Sequence, residues 1–418
     1  MQSTACTFSS LLMIAGLAVG NTAASVVEPP LRSIQGLKVY TGPDTPAIDN
    51  GVILIRGAQI VGVEQQAGAA APLVPACNGG VIVAGFQNSH VHLTGKAFAS
   101  AKNAPAAVLA DGLTQLLTRY GFTTAFDIAS DRANTLALRT RIERGELRGP
   151  RILTAGLPLF PAKGLPVYLD HFDPAFRDLL PQPADAAAAV TVVRENLDAG
   201  ADATKLFLVT PQPQQTVKRM PFDIAQAAAD ETHRRGKLVF AHPTDLAGVR
   251  MALDAKVDIL AHPPLGTPGP WPEALMGQLR EAGVAMIPTL KLLRYELAKE
   301  QVPQPIADRI LEDSVREFGK FAAAGGQVLF GTDVDYMTDL DPTDEYALMA
   351  QAGMSAMQIL ASLTTTPAWR WNEAQHRGRL AAGMDADIVV LNGDPAVSAK
   401  HFADVKCAIR GGLVIFAR

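Results

Sequence analysis

The sequence predicts a (β/α)8 barrel of the TIM type joined to a small β-sandwich built from both ends of the chain. Three observations carry this. Between residues 85 and 378, eight aliphatic runs alternate with helical patterns, and repeated strand-helix alternation closes into a parallel barrel. Both flanks of that region are instead short β-branched runs broken by Asn-Gly and Arg-Gly turn signals. At 418 residues the chain also exceeds the roughly 250 that such a barrel uses, which leaves room for a second, smaller unit.

Residues 1–25 read as a secretory signal peptide. "LLMIAGLAVG" is an apolar core followed by the small residues "NTAAS", with cleavage expected near Ala24 or Ser25. The stretch is too short to span a bilayer, and no Lys or Arg precedes it, so the usual basic start is missing. A periplasmic or secreted protein is expected, without membrane attachment once the signal is removed.

Residues 26–84 and 379–418 are assigned to the split β domain, with "LKVYTG", "NGVILIRGAQIVGVEQ" and "GGVIVAG" on one side and "ADIVVLNG" and "DVKCAIRGGLVIFAR" on the other. Cys6 would leave with the signal. Cys77 and Cys407 both fall in this domain. They either pair in an oxidising compartment, given Cα atoms within about 7 Å, or remain two buried thiols.

The barrel, residues 85–378, takes its strands from "IVAGFQNSH", "FTTAFDIA", "PRILTAGL", "ATKLFLV", "KLVFAHP", "VDILAHPP", "AMIPTLK" and "QVLFGTD". Among its helices, one over 184–199 aligns Val190, Val193 and Leu197, and another near 245–255 begins at Asp245 as N-cap and aligns Leu246, Val249 and Leu253. A third, Pro305 to Gly325, aligns Ile306, Ile310 and Phe318.

Apolar residues make up 48% of the chain and charged ones 19%, enough for a large core and no signature of disorder. The net charge of −4, with no basic stripe, argues against nucleic acid as the partner; a small-molecule substrate is expected. Assembly into a homo-oligomer is left open.

In such barrels chemistry sits at the C-terminal ends of the strands. The first strand ends in His90-x-His92, whose side chains share one side of a strand and could reach one metal ion. The fourth carries Lys205, the fifth ends at His242, the sixth at His262 and the eighth at Asp333. The other four histidines, His171, His233, His376 and His401, lie away from strand ends, so the clustering is not general to this residue type. Lys205 cannot ligate a cation as an ammonium, but burial favours the free amine. That amine can capture CO₂ as an anionic carbamate with two oxygens.

The ordered set "NSHVHL", "GADATKLFL", "LVFAHP", "VDILAHPP" and "VLFGTD", flanked by "NGVILIRGAQIVGVE" and "LAAGMDADIVVLNGDP", resembles the metal-dependent amidohydrolase superfamily over nearly the whole mature chain. It looks most like the group of imidazolonepropionase-like proteins and carboxylated-lysine Xaa-Pro and Xaa-Arg dipeptidases. The resemblance implies that His90, His92 and Asp333 hold one divalent metal, expected to be Zn²⁺, and that His242 and His262 hold a second. Carboxylated Lys205 would bridge them. Without the modification, one metal on His90, His92, His242 and Asp333 would leave His262 free to polarise substrate. Hydroxide would attack the scissile carbonyl while Asp333 carries its proton to the leaving amine.

Substrate contacts are expected from loops: Lys163 and Tyr168 after the third strand, Lys291, Arg294 and Tyr295 after the seventh, and Tyr336 after Asp333. A cation among them would bind the carboxylate of a dipeptide or N-acyl amino acid. Hydrolysis of such an amide by an exported enzyme is therefore the leading expectation. A single-metal hydrolase of a cyclic amide, lactone or ester, and a non-catalytic barrel kept as a binding module, are the alternatives.

Overall fold

The computed structural model describes residues 28–65, 71–265, 267 and 269–418. The expected signal peptide and Cys6 lie outside the described residues.

A six-stranded mixed sheet joins the two ends of the chain. Its order runs Leu413–Ala417, Val405–Arg410, Ile388–Leu391, Val81–Ala84, Lys38–Val39 and Ile48–Asp49. The central contact is antiparallel, with Val389 opposite Val83 and Val390 opposite Ile82. A second sheet of three strands, Leu31–Gln35, Gly51–Arg56 and Gln59–Gln65, shares a core of Ile34, Ile53, Ile82, Ile388 and Ile409 with the first. Every second residue of these strands faces that core, as a period of two requires. Cys77 and Cys407, both fully buried, are joined by a disulfide across a Cα–Cα distance of 5.2 Å. Of the two outcomes left open by sequence, pairing is the one observed.

The barrel follows at once, its first strand being Phe86–Val91. Phe122–Asp127 and Arg151–Thr154 add to it in parallel. Ala203–Phe207, Leu238–His242, Ile259–Leu260 and Ala285–Met286 form a second parallel set in chain order. A bridge between Leu159 and Leu206 links the two sets. Residues 327–333, expected as a full eighth strand, are instead held, with the adjoining Val334, by single bridges, Val328 to Met286 on one side and Val334 to Val91 on the other. Main-chain bonds from Ser89 N to Phe330 O (2.8 Å) and from His92 N to Val334 O (3.0 Å) complete the ring. At Gly331 a Cβ would meet Ile287 at 2.4 Å and His90 at 2.7 Å. Only glycine permits so close an approach of this segment to the first strand.

Inside the ring, Phe126, Leu153, Phe240, Ile259, Ile287 and Leu329 form a continuous core, with Phe126 and Phe240 4.9 Å apart at their centroids. Each such ring contributes on the order of 1.5–3 kcal/mol by leaving water. The helices outside begin and end as their sequences indicate. Ala186–Asp198 is capped by Asp185, which accepts from Ala188 N at 2.8 Å, and Leu246–Asp254 by Asp245, which accepts from Gly248 N at 2.8 Å. The helix Gln304–Ala323 departs from its expected stripe, because Ile306 is exposed whereas Val315, Phe318 and Phe321 are buried. This helix packs through its C-terminal half, and its first turns stand in solvent. Among the described residues no helix is long and apolar enough to cross a membrane.

Candidate functional site

Side chains from five strand ends meet in one cleft. His90, His92, Lys205, His242, His262 and Asp333 all line it. His90 Nε2 is 3.1 Å and His92 Nε2 2.6 Å from Asp333 Oδ1, and His262 Nε2 is 3.8 Å from Asp333 Oδ2. The imidazoles form a chain, with ring centroids 5.3 Å apart for His90 and His92, 4.7 Å for His90 and His262, and 4.6 Å for His242 and His262.

The other ring nitrogens of three of these histidines are already committed. His90 Nδ1 lies 3.0 Å from the Ala261 carbonyl, His92 Nδ1 3.1 Å from the Ala129 carbonyl, and His262 Nδ1 2.8 Å from Thr289 Oγ1. A carbonyl can only accept, so His90 and His92 donate from Nδ1. Their Nε2 atoms, when neutral, then carry lone pairs aimed at a carboxylate oxygen. Acceptor facing acceptor at 2.6–3.1 Å is unfavourable unless a cation or proton lies between them. Asp333 Oδ1 is buried and has no hydrogen-bond donor among the described residues. His90, His92 and Asp333 thus offer three ligand atoms within 4.8 Å of one another, of the types and number that hold Zn²⁺ or a similar divalent ion.

Electrostatics push the same way. Burial lowers the pKa of His90 to about 4 and that of His242 to about 3, and holds His262 well below its usual value. These rings are neutral at pH 7 and available as ligands. Burial also opposes charge on His92, yet the adjoining Asp333 outweighs it and raises the pKa of this ring. Asp333 is itself buried, which favours its neutral form, but His90 and His92 hold its carboxyl well below the ordinary range. Lys205, 1% exposed, has its pKa lowered to about 7 by burial, with Asp333 opposing.

Backbone strain concentrates at this mouth. Thr244, Thr289, Asp333 and Asp335 have φ of 59°, 41°, 57° and 74°, in the left-handed region that non-glycine residues enter at a cost of about 1–3 kcal/mol. They follow the fifth, seventh and eighth strand ends. Asp335 accepts from Thr94 N at 2.7 Å and Gly95 N at 2.6 Å, tying the loop after His92 to the one that carries Asp333. Buried Asp127 accepts from Ser130 Oγ at 2.5 Å and Thr135 Oγ1 at 2.6 Å, and Ser130 Oγ in turn accepts from Leu93 N. Sequence reasoning passed over both carboxylates, although an acid two residues from a ligand was a usable signal for Asp335.

The expected substrate residues divide. Tyr168 and Tyr336 line the cleft and meet edge to face at 5.4 Å. Burial raises the pKa of each phenol, and Tyr336 donates to Glu296 Oε1 at 2.9 Å. The expected cations are elsewhere. Lys163 is exposed on a left-handed turn, φ 55°, outside the lining. Lys291 turns to the Asp339 and Asp341 carbonyls, at 3.2 and 2.5 Å, because its helix Leu290–Lys299 faces it into that loop. Arg294 pairs with Asp344 at 2.6 Å. Tyr295 backs Tyr336 at 6.4 Å between centroids without lining the cleft. In their place stands a wall of rings that the sequence reading missed, Phe160, Phe172, Phe176 and Phe207.

Comparison with known proteins finds the same fold elsewhere. A Xaa-Pro dipeptidase structure with bound methionine has a similar fold, with a TM-score of 0.77 at 20% identity, covering 92% of this chain and 99% of that one. A. niger ochratoxinase gives 0.75 at 18%, covering 93% and 96%. A putative prolidase from Bifidobacterium longum gives 0.73 at 24%, covering 93% and 94%. No sequence among curated proteins matches the chain. The model of the amidohydrolase family matches residues 81–414. The chain therefore belongs to the amidohydrolase family and is a hydrolase of carbon–nitrogen bonds.

Proposed function

We propose that this chain is an exported enzyme that hydrolyses the amide bond of a small molecule, with N-acyl amino acids and dipeptides as the classes to assay first. The observation that carries the reading is the Asp333 carboxylate facing the Nε2 atoms of His90 and His92 with no donor between them. His90, His92 and Asp333 would hold one divalent ion, Zn²⁺ being the natural choice for this set, and His242 and His262 the second. A bound divalent ion lowers the pKa of its water to near 7 and polarises a carbonyl.

The protein's own groups supply the rest. Asp333 takes the proton of the attacking water and gives it to the leaving amine, which departs neutral. Lys205, held partly as a free amine by burial, would combine with CO₂, releasing one proton, and as a carbamate would supply two anionic oxygens to the ions. In its absence His90, His92, His242 and Asp333 would hold a single ion and His262 would be free to polarise substrate, the alternative reading as a cyclic amide, lactone or ester hydrolase. The buried disulfide between Cys77 and Cys407 supports export, because such bonds persist in oxidising compartments.

Metal content per chain, measured by elemental analysis after expression with bicarbonate, tests this reading. About two ions supports the bridged pair, about one the single-metal form. Protein that binds no divalent ion at micromolar concentration, and cleaves no amide when supplied with Zn²⁺, would falsify it.

A further inference from the structure

The cleft beside the metal-ligating side chains is walled by aromatic rings. Phe160 and Phe207 stack at 4.3 Å and 17°, Phe172 and Phe176 pack at 5.8 Å, and Tyr168 meets Tyr336 edge to face. Among the described lining residues Lys205 is the sole lysine or arginine, and it stands among the metal-ligating side chains. The one further charged group on the wall is an acid, Glu296, already engaged by Tyr336. Lys299, which donates to Tyr336 Oη at 3.0 Å, is not part of the lining.

We infer that the enzyme recognises its substrate through a ring-bearing apolar group lodged among Phe160, Phe172, Phe176 and Phe207, and not through a terminal carboxylate. The inference rests on the amide-hydrolase reading of the same site. Its physical basis is desolvation. A carboxylate brought into this wall would lose its water, find no fixed cation and face Glu296. A ring loses little hydration and gains offset or edge contacts with the phenylalanines. Specificity would then follow the apolar area that substrate buries, as in other hydrophobic pockets.

Four compounds separate the two modes of recognition on the Zn²⁺-loaded protein: N-benzoyl-phenylalanine, N-benzoyl-phenethylamine, which lacks only the carboxylate, and N-acetyl-phenylalanine and N-benzoyl-alanine, which each lack one ring. Deleting at least one of the two rings is expected to lower kcat/KM roughly tenfold or more, while deleting the carboxylate lowers it less than about threefold or raises it. Phe176→Ala, at a half-buried position, should shrink the advantage of the ring-bearing compound. A roughly tenfold loss on removing the carboxylate, or no effect of either ring, overturns the inference and leaves the hydrolase reading standing. If none of the four is cleaved, the hydrolase reading is the one that fails for these amides. Their dissociation constants by calorimetry then decide the recognition question on the same ranking, and absence of binding by all four overturns it.

Discussion

His92 presents its Nε2 to Asp333 Oδ1 at 2.6 Å while its Nδ1 is committed to the Ala129 carbonyl. One bond fixes the tautomer and the other fixes what must lie in front of it. The backbone of Asp333, at φ 57°, is held in a strained conformation to keep its carboxylate in that position.

Asp333→Asn keeps the shape and tolerates the left-handed backbone, but an amide is a poor ligand and cannot carry a proton. Its kcat is expected to fall by about 10²–10⁴, with lower metal content by elemental analysis and an unchanged circular dichroism spectrum. Activity near that of the wild type would remove Asp333 from the proton path.

Lys205 governs how stability of the metal-free protein depends on pH. Its pKa falls from the ordinary lysine value of 10.5 to about 7, so between those values the unfolded chain binds a proton that the folded chain does not. Stability from this group therefore rises with pH across that window and stays at its lowest below it. Lys205→Met should be the more stable protein in urea with chelator at pH 7, and its advantage should shrink by up to about 1.4 kcal/mol per pH unit above 7. An advantage that does not change between pH 7 and 9 would show that the amine is not desolvated in solution.

Lys291, expected from sequence to meet substrate, joins the loop after Asp333 to its own helix through the Asp339 and Asp341 carbonyls and the Asp339 carboxylate at 2.8 Å. Lys291→Met is expected to cost about 1–3 kcal/mol of stability in denaturant melts and to leave KM for every amide in the panel within about twofold of wild type. A selective rise in KM for carboxylate-bearing substrates would return this residue to a substrate-binding role.

Removal of the disulfide, as Cys77→Ser with Cys407→Ser, should destabilise the protein by about 2–5 kcal/mol, seen as a lower Tm by calorimetry. Wild type incubated with a thiol reductant should drop toward the same Tm. Identical melts with and without reductant would mean that Cys77 and Cys407 do not pair in solution.

The convergence of His90, His92, Lys205, His242, His262 and Asp333 on one cleft was legible because strand periodicity and strand ends are local properties. His90, His242, His262 and Asp333 each follow an aliphatic run, and a barrel brings such ends together whatever its loops do. The substrate wall was not legible for the opposite reason. Phe172 and Phe176 sit in "HFDPAFRD", which reads as a polar loop, and only the packed arrangement brings them into the lining of the cleft. Lys291 and Arg294 failed as substrate cations because nearby acceptors in residues 339–344 were closer than the cleft, a competition that sequence spacing does not express. The eighth strand was legible in place but not in pairing, since the bridges from Val328 to Met286 and from Val334 to Val91 join segments distant in sequence.

The pairing of Ile388–Leu391 with Val81–Ala84 makes the barrel a closed excursion between two neighbouring strands of one sheet. A ribosome or a translocation pore releases residues in order, so Val81–Ala84 emerges roughly 300 residues ahead of its partner. Through that interval an all-apolar strand edge must wait unpaired, the kind of edge that recruits other chains. The covalent link from Cys77 to Cys407 can form only at the end of the same interval, so it serves as a seal on finished molecules and cannot guide their early folding.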